Sequence, residues 1–248
     1  MTVLLQTTYF GPVQWYQKLN RYDRVLIEQH DSYQKQTYRN RCVIATANGV
    51  QALTVPVEHP SVTHRPSPIT KDLRISDHNQ WRRVHWNALQ SAYSESPFFE
   101  YYADDIRPFF EKRYEFLIDF NEAIRQTICE LIDLHPHVEY TTAFLPPATA
   151  PCPPATAPFP PATTPFPPAT APFPLATTPC PPATTPDGSP SGLPADYRSA
   201  IHAKHPQPDA DFEPKRYWQV FQHKHGFLPN LSILDLLFCM GPESVFYL

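Results

Sequence analysis

The sequence lacks the features that mark several large classes of protein. Outside one proline-rich segment, no run of about 18 apolar residues could cross a bilayer as a helix. Residues 1–9 show no basic stretch followed by a cleavage signal, so we expect a strand there rather than a signal peptide. The five cysteines are scattered and form no CxxC pair, which argues against a disulfide framework and favours a reducing, cytoplasmic location.

Catalytic and electrostatic signatures are missing as well. There is no GxSxG or HExxH motif, so no motif supports a hydrolase or metalloprotease function. The closest histidine pairs, His135 with His137 and His223 with His225, have no carboxylate or cysteine at a ligand spacing. We therefore expect neither a metal site nor a cofactor. The formal net charge of −4 gives no electrostatic reason to expect nucleic acid as a partner.

What the chain does contain is a seven-residue repeat over residues 146–186. Seventeen of these 41 residues are proline and none is charged. Proline lacks an N–H and fixes φ, so such a segment forms neither helix nor sheet and favours polyproline II. We interpret it as a disordered insertion, followed at 187–204 by a linker that contains a short helix. Residues 1–142 and 205–248 are then expected to form one domain.

We expect this insertion to be a tolerated spacer in an exposed loop, although a partner that binds polyproline II is the alternative. Deleting residues 146–186 should leave the melting temperature and any activity nearly unchanged, because no motif lies inside the repeat. Calorimetry of the deletion variant checks this expectation. A large loss of stability would show that the repeat packs against the rest of the chain.

The remaining sequence alternates strand and helix patterns. Val3–Leu5, Val13–Asn20 and Arg24–Glu28 predict a strand, a helix and a strand, which is a βαβ unit. The Gln6–Gly11 loop would then lie at the carboxyl end of the first strand, where open α/β sheets bind ligands. We expect an α/β protein with a single Rossmann-like domain and a helical C-terminal half.

A β-hairpin is predicted at about 41–57. Asn48–Gly49 suits a type I′ turn, and that turn pairs Ile44 with Leu53 and Cys42 with Val55. Periodicity and punctuation predict further elements: a short strand at 73–76; helices at 79–95, 97–102, 105–111 and 115–134; a strand at 138–142; a short element at 216–223; and a buried helix at 231–240 with Asn230 as its N-cap.

A basic segment before the hairpin is the first candidate site. If residues 33–41 are extended, Lys35, Thr37, Arg39 and Arg41 project to one side, and the three charged groups suit a phosphate or carboxylate. The alternative is a solvated edge strand whose charges resist aggregation. The Gln6–Gly11 loop is a second candidate anion site, with an ordinary βα turn as its alternative.

Asp235 is a third candidate, because a carboxylate in an apolar helix needs a partner. It could act as a general base or hold an active-site arginine. The alternative is a structural, hydrogen-bonded aspartate.

Several short motifs, taken in order, resemble the WbqC-like family. They cover about residues 3–142 and 211–248 and are the following: Gln6-x-x-Tyr9-Phe10-Gly11-Pro12, Tyr33–Arg41 with Leu53–Val57, Trp86-x6-Tyr93, Ser96–Tyr102 and Leu231–Ser244.

The resemblance implies a bacterial protein of O-antigen or other surface-polysaccharide biosynthesis. It implies a transferase, in one version moving glycine or another aminoacyl group to a sugar, with a phosphorylated or sugar-containing ligand. Matching positions that could bind or react are Gln6, Tyr9, Lys35, Arg39, Asn40 and Arg41 for binding, and Tyr93 and Asp235 for catalysis. The alternative is a non-catalytic scaffold that binds other enzymes of the same pathway.

Overall fold

Four parallel strands and the helices around them organise the chain, for which a computed structural model describes residues 1–58, 68–147 and 194–248. The elements, in chain order, are β1 (Thr2–Gln6), α1 (Val13–Arg21), β2 (Arg24–Glu28), β3 (Arg41–Thr46), β4 (Gly49–Thr54), α2 (Trp81–Tyr93), α3 (Phe99–Ile106), α4 (Pro108–Glu111), α5 (Leu117–Leu131), β5 (Val138–Tyr140), β6 (Ala195–Asp196), α6 (Gln222–His225) and α7 (Ile233–Met240). The predicted disordered repeat at 146–186 lies outside the described residues except for its first two prolines.

The sheet has the order β5-β2-β1-β6, and every neighbouring pair is parallel. The expected βαβ unit is confirmed: β1 and β2 are parallel neighbours in the sheet, and α1 lies between them in the sequence. From β1 the chain first continues to β2 and β5 on one side of β1, and β6 is later added on the other side of β1. In parallel sheets this reversal of direction opens a crevice at the carboxyl ends of the strands.

The segment after the repeat differs from the expected linker with a short helix. Ala195–Asp196 forms β6 and pairs with Val3 and Leu4 of β1, and no residue of 194–204 is helical. Ala200 and Ile201 are buried. Sheet pairing and burial fix this segment, and neither is visible in its local sequence.

The β3–β4 hairpin is present, but its predicted register is wrong by two residues. Cys42 pairs with Leu53 and Ile44 with Gln51. The turn consists of Ala47 and Asn48, and the positive φ of +110° falls on Gly49 alone rather than on an Asn-Gly pair. A type I′ turn needs two such residues, so one glycine here supports a different two-residue turn.

Helices α5 and α7 form much of the core. Helix α5 buries one stripe, whereas α7 is buried on every side, as its apolar composition predicts. Its predicted cap is wrong: Ser232 caps it by accepting the Leu234 N–H, while Asn230 adopts φ +56° and binds Gln14. The strand expected at 73–76 is reduced to isolated bridges. No helix within the described ranges is long and apolar enough to cross a membrane.

Candidate functional site

Charged side chains gather where β2 and β6 end. Glu28 is the last residue of β2 and Asp196 the last of β6, and Asp31, Arg39 and Arg198 lie beside them. We call these five residues the carboxyl-edge cluster. Its three carboxylates and two guanidiniums leave one excess negative charge. All five side chains are at least four-fifths buried, the most exposed being Asp196 at 18%.

Glu28 is the most deeply buried carboxylate of the cluster. Its carboxylate is fully buried and accepts hydrogen bonds from the His30 N–H, the Thr141 hydroxyl and the Leu145 N–H at 2.8–2.9 Å. Its Oε2 also lies 3.4 Å from Arg198 Nη1. Such a set of donors satisfies a buried charge and holds it in one position.

Arg198 joins the two strand ends. Its Nε and Nη2 donate to the Asp196 carboxylate at 2.9 and 2.7 Å, a bidentate arrangement. Burial lowers the pKa of Arg198, but the hydrogen bonds and charge of Asp196, together with the charge of Glu28, outweigh burial and raise it. The guanidinium is therefore permanently charged.

Arg39 is the more deeply buried arginine, with 1% of its side chain exposed. Its Nη2 pairs with Asp31 and its Nη1 donates to the Thr37 hydroxyl at 3.2 Å. Burial lowers its pKa despite the opposing charge of Asp31, and the charge of Arg198 lowers it further. Its Nε finds no hydrogen-bond partner in the described part of the chain.

His202 lies close enough to Arg39 for the guanidinium to act on its pKa. Burial lowers the pKa of His202, and the charges of His205 and Arg39 add to that effect. Its Nδ1 accepts the N–H groups of Lys204 and His205, both at 3.1 Å. The imidazole is thus neutral and its proton sits on Nε2, where it can donate to a carbonyl or phosphoryl oxygen.

Two of the residues predicted to bind reach this edge. Arg39 belongs to the cluster, and Gln6 Nε2 donates to the Arg198 carbonyl at 3.1 Å. Tyr9 does not reach it: its ring is fully buried, and its hydroxyl bonds to Nδ1 of His85 at 2.9 Å. Tyr9 therefore connects the loop after β1 to helix α2.

The expected common face of Lys35, Arg39 and Arg41 does not exist. Gln36 has φ +61°, which breaks the alternation of an extended segment. Lys35 is exposed, whereas Arg39 is buried and Arg41 Nε donates to Thr54 Oγ1 at 3.1 Å.

Asn40 is also turned inward. Its Nδ2 donates to the Val55 carbonyl at 2.8 Å and fastens the end of the hairpin. Binding by Lys35, Asn40 or Arg41 remains a prediction, and none of the three joins the cluster.

The candidate catalytic pair lies elsewhere, in a second buried network. Asp235 accepts the Tyr93 hydroxyl at 2.8 Å, the Tyr217 hydroxyl at 2.7 Å and the Gln219 amide at 3.1 Å. Burial raises the pKa of Asp235, and its three donors oppose that rise. All of its partners are buried, so we propose that Asp235 and Tyr93 hold the core together.

Sequence reasoning missed Glu28, Asp31, Asp196, Arg198 and His202. Glu28 ends a strand that was predicted with the correct bounds, so the rule for carboxyl ends could have found it. The last three follow the repeat, in a segment whose strand is only two residues long. No local pattern marks such a strand.

The fold and the cluster define an α/β protein with buried charged residues at the carboxyl edge of a parallel sheet. The chain belongs to the WbqC-like protein family, whose model matches residues 6–150, more than half of its length. That match includes Gln6, Glu28, Asp31 and Arg39.

One curated relative is the uncharacterized protein Rv1507c of Mycobacterium tuberculosis, 30% identical over 113 residues. The aligned part is 45% of this chain and 47% of the relative, so the chain spans about half the length of that protein. No solved structure matches.

Proposed function

We propose that this protein is a transferase of surface-polysaccharide biosynthesis that uses the carboxyl-edge cluster to transfer an aminoacyl group to a sugar. The cluster itself carries the proposal. Burying five charged groups costs free energy, and a buried ion network contributes little net stability in return. These groups lie where parallel α/β sheets bind their ligands.

The charge of the cluster favours an aminoacyl substrate over a phosphate. Asp196 and Asp31 neutralise the two arginines, and Glu28 leaves an excess negative charge. That balance suits the α-ammonium group of an aminoacyl donor and disfavours a free phosphate in its place. The Nε2–H of His202 then donates a hydrogen bond to the acyl oxygen while a sugar hydroxyl or amine attacks the carbonyl carbon. The new C–O or C–N bond replaces the bond to the leaving group, which departs with the proton that the attacking group loses.

Binding of donor classes tests this function. We would add a glycyl-adenylate analogue, acetyl-CoA or a UDP-sugar to the purified protein and measure melting temperature and Kd. We expect the glycyl compound to stabilise the protein. We expect Asp196→Asn, which is nearly isosteric, to weaken that binding about tenfold, because it removes one of the three carboxylates and with it the excess negative charge of the cluster.

Arg24→Ala is the matched control. Arg24 forms an exposed ion pair with Glu139 and begins β2, at the end of the strand opposite Glu28. Binding should be unchanged in this variant. If no donor class stabilises the protein, the transferase proposal fails and a scaffold role is favoured. If the glycyl compound binds and Asp196→Asn leaves its Kd unchanged, the assignment of the cluster fails.

A further inference from the structure

A groove of about 340 Å³ opens beside the amino end of helix α2. The residues that line it include Arg82, Arg83, Arg107, Trp86 and Phe110. None of its lining residues belongs to the carboxyl-edge cluster. We call it the arginine groove.

The groove concentrates positive charge in a chain whose formal net charge is −4. Among the residues that the structure describes, three arginines and one carboxylate, that of Glu111, line it. Arg107 Nε binds Glu111 at 2.6 Å, and Arg82 Nη1 pairs with Asp77. Arg83 is exposed and has no ion pair with any described residue.

Arg82 has hydrogen-bonding capacity left over. Its guanidinium lies over the Trp81 ring at 4.6 Å, and 14% of its side chain is exposed. Its Nε is buried and has no partner within the described ranges. Buried donors are almost always satisfied, so Arg82 keeps a donor that a small shift of its side chain could offer to an acceptor in the groove.

Ring contacts support the apolar wall of the groove. Trp86 is half-buried, and its ring packs against Phe99 at 6.0 Å and Phe110 at 5.7 Å between centroids. Phe110 in turn stacks on Phe10 at 6.2 Å. A tryptophan fixed in this way offers a surface on which a planar ring can pack.

The helix end adds a further positive contribution. Gln80, which also lines the groove, occupies the N-cap position of α2 and makes no side-chain cap hydrogen bond. The first N–H groups of α2 therefore keep their partial positive charge on this side.

We propose that the arginine groove binds a nucleoside diphosphate. Arg82, Arg83 and Arg107 hold the phosphates with bidentate hydrogen bonds, and the base packs against Trp86. This site is separate from the cluster and does not depend on the proposed transferase activity.

Calorimetric titration with UDP, ADP, uridine and pyrophosphate tests the proposal on the full chain. We expect UDP or ADP to bind at least ten times more tightly than uridine and more tightly than pyrophosphate. Arg83→Ala should raise the Kd of that nucleotide about tenfold. It should fold normally, because Arg83 is exposed and unpaired among the described residues.

Arg113→Ala is the matched control, since it removes a neighbouring positive charge that does not line the groove and is 82% exposed. Its Kd should stay within about twofold of the wild-type value. Equal affinity of wild type and Arg83→Ala would overturn the assignment. So would binding of pyrophosphate as tightly as UDP and ADP, or no binding of either nucleotide at millimolar concentration. The variants Asp196→Asn and Arg83→Ala separate failure of the cluster from failure of the groove.

Discussion

Replacing Asp235 by alanine is expected to lower the free energy of unfolding by about 3 to 5 kcal/mol. The substitution leaves the hydroxyls of Tyr93 and Tyr217 and the amide of Gln219 without their common acceptor in a buried site. It also opens a cavity in α7, a helix with no exposed side. Typical domains have only about 5 to 15 kcal/mol of stability, so much of the folded state's margin is lost. Urea denaturation measures the effect.

Graded variants separate the loss of hydrogen bonds from the loss of volume. Asp235→Asn keeps an acceptor for one tyrosine and should cost less than alanine. Tyr93→Phe and Tyr217→Phe each remove one hydroxyl and should cost about 1 to 2 kcal/mol. If Tyr93→Phe abolishes an activity while stability stays at the wild-type value, Tyr93 and Asp235 act in catalysis and the structural hypothesis is wrong.

The sequence predicted the local elements better than the sites. Arg24–Glu28 and Val13–Asn20 were found within one residue, because apolar periodicity and the Pro12 signal are local. The hairpin was found, yet its register was wrong. The register depends on the backbone angles of the turn: Gly49 has a positive φ and Asn48 does not. The residue types alone do not show whether one or both residues of an Asn-Gly pair adopt a positive φ.

The candidate site was predictable only in part. Gln6 and Arg39 reach the carboxyl edge, and both were chosen from sequence. Arg198 comes 170 residues after Glu28, and only β6 pairing with β1 brings them together. An extended chain would place Lys35 beside Arg39, but the positive φ of Gln36 breaks that alternation. The pattern of residues along the sequence shows neither which distant strands pair nor the backbone angle of a single residue.

His85 connects three parts of the fold through its neutral ring. Its Nδ1 accepts the hydroxyl of Tyr9 at 2.9 Å, and the Thr54 carbonyl hydrogen-bonds to the ring. The ring thereby ties α2 to the loop after β1 and to the end of β4. Burial lowers the pKa of His85 from 6.5 to about 4, and the Thr54 carbonyl only partly opposes that shift.

Stability should therefore fall steeply in acid. Because folding lowers the pKa of His85, the unfolded chain takes up a proton first as the pH drops below 6.5. The contribution of His85 is complete above pH 6.5 and is lost as the pH falls toward about 4. A pKa difference of this size corresponds to about 3 kcal/mol. Urea denaturation at pH 7, 6, 5 and 4 measures it.

His85→Gln should remove this pH dependence, because a glutamine can accept from Tyr9 and donate to Thr54 without titrating in that range. The variant should be less stable than wild type at pH 7 and more stable at pH 4. His135→Gln, at a histidine with 78% of its side chain exposed, should follow the wild-type curve throughout. If wild type and His85→Gln lose stability in parallel between pH 7 and 4, His85 is not the acid-sensitive group. Carboxylate pairs such as Glu122 with Arg125 must then account for the loss.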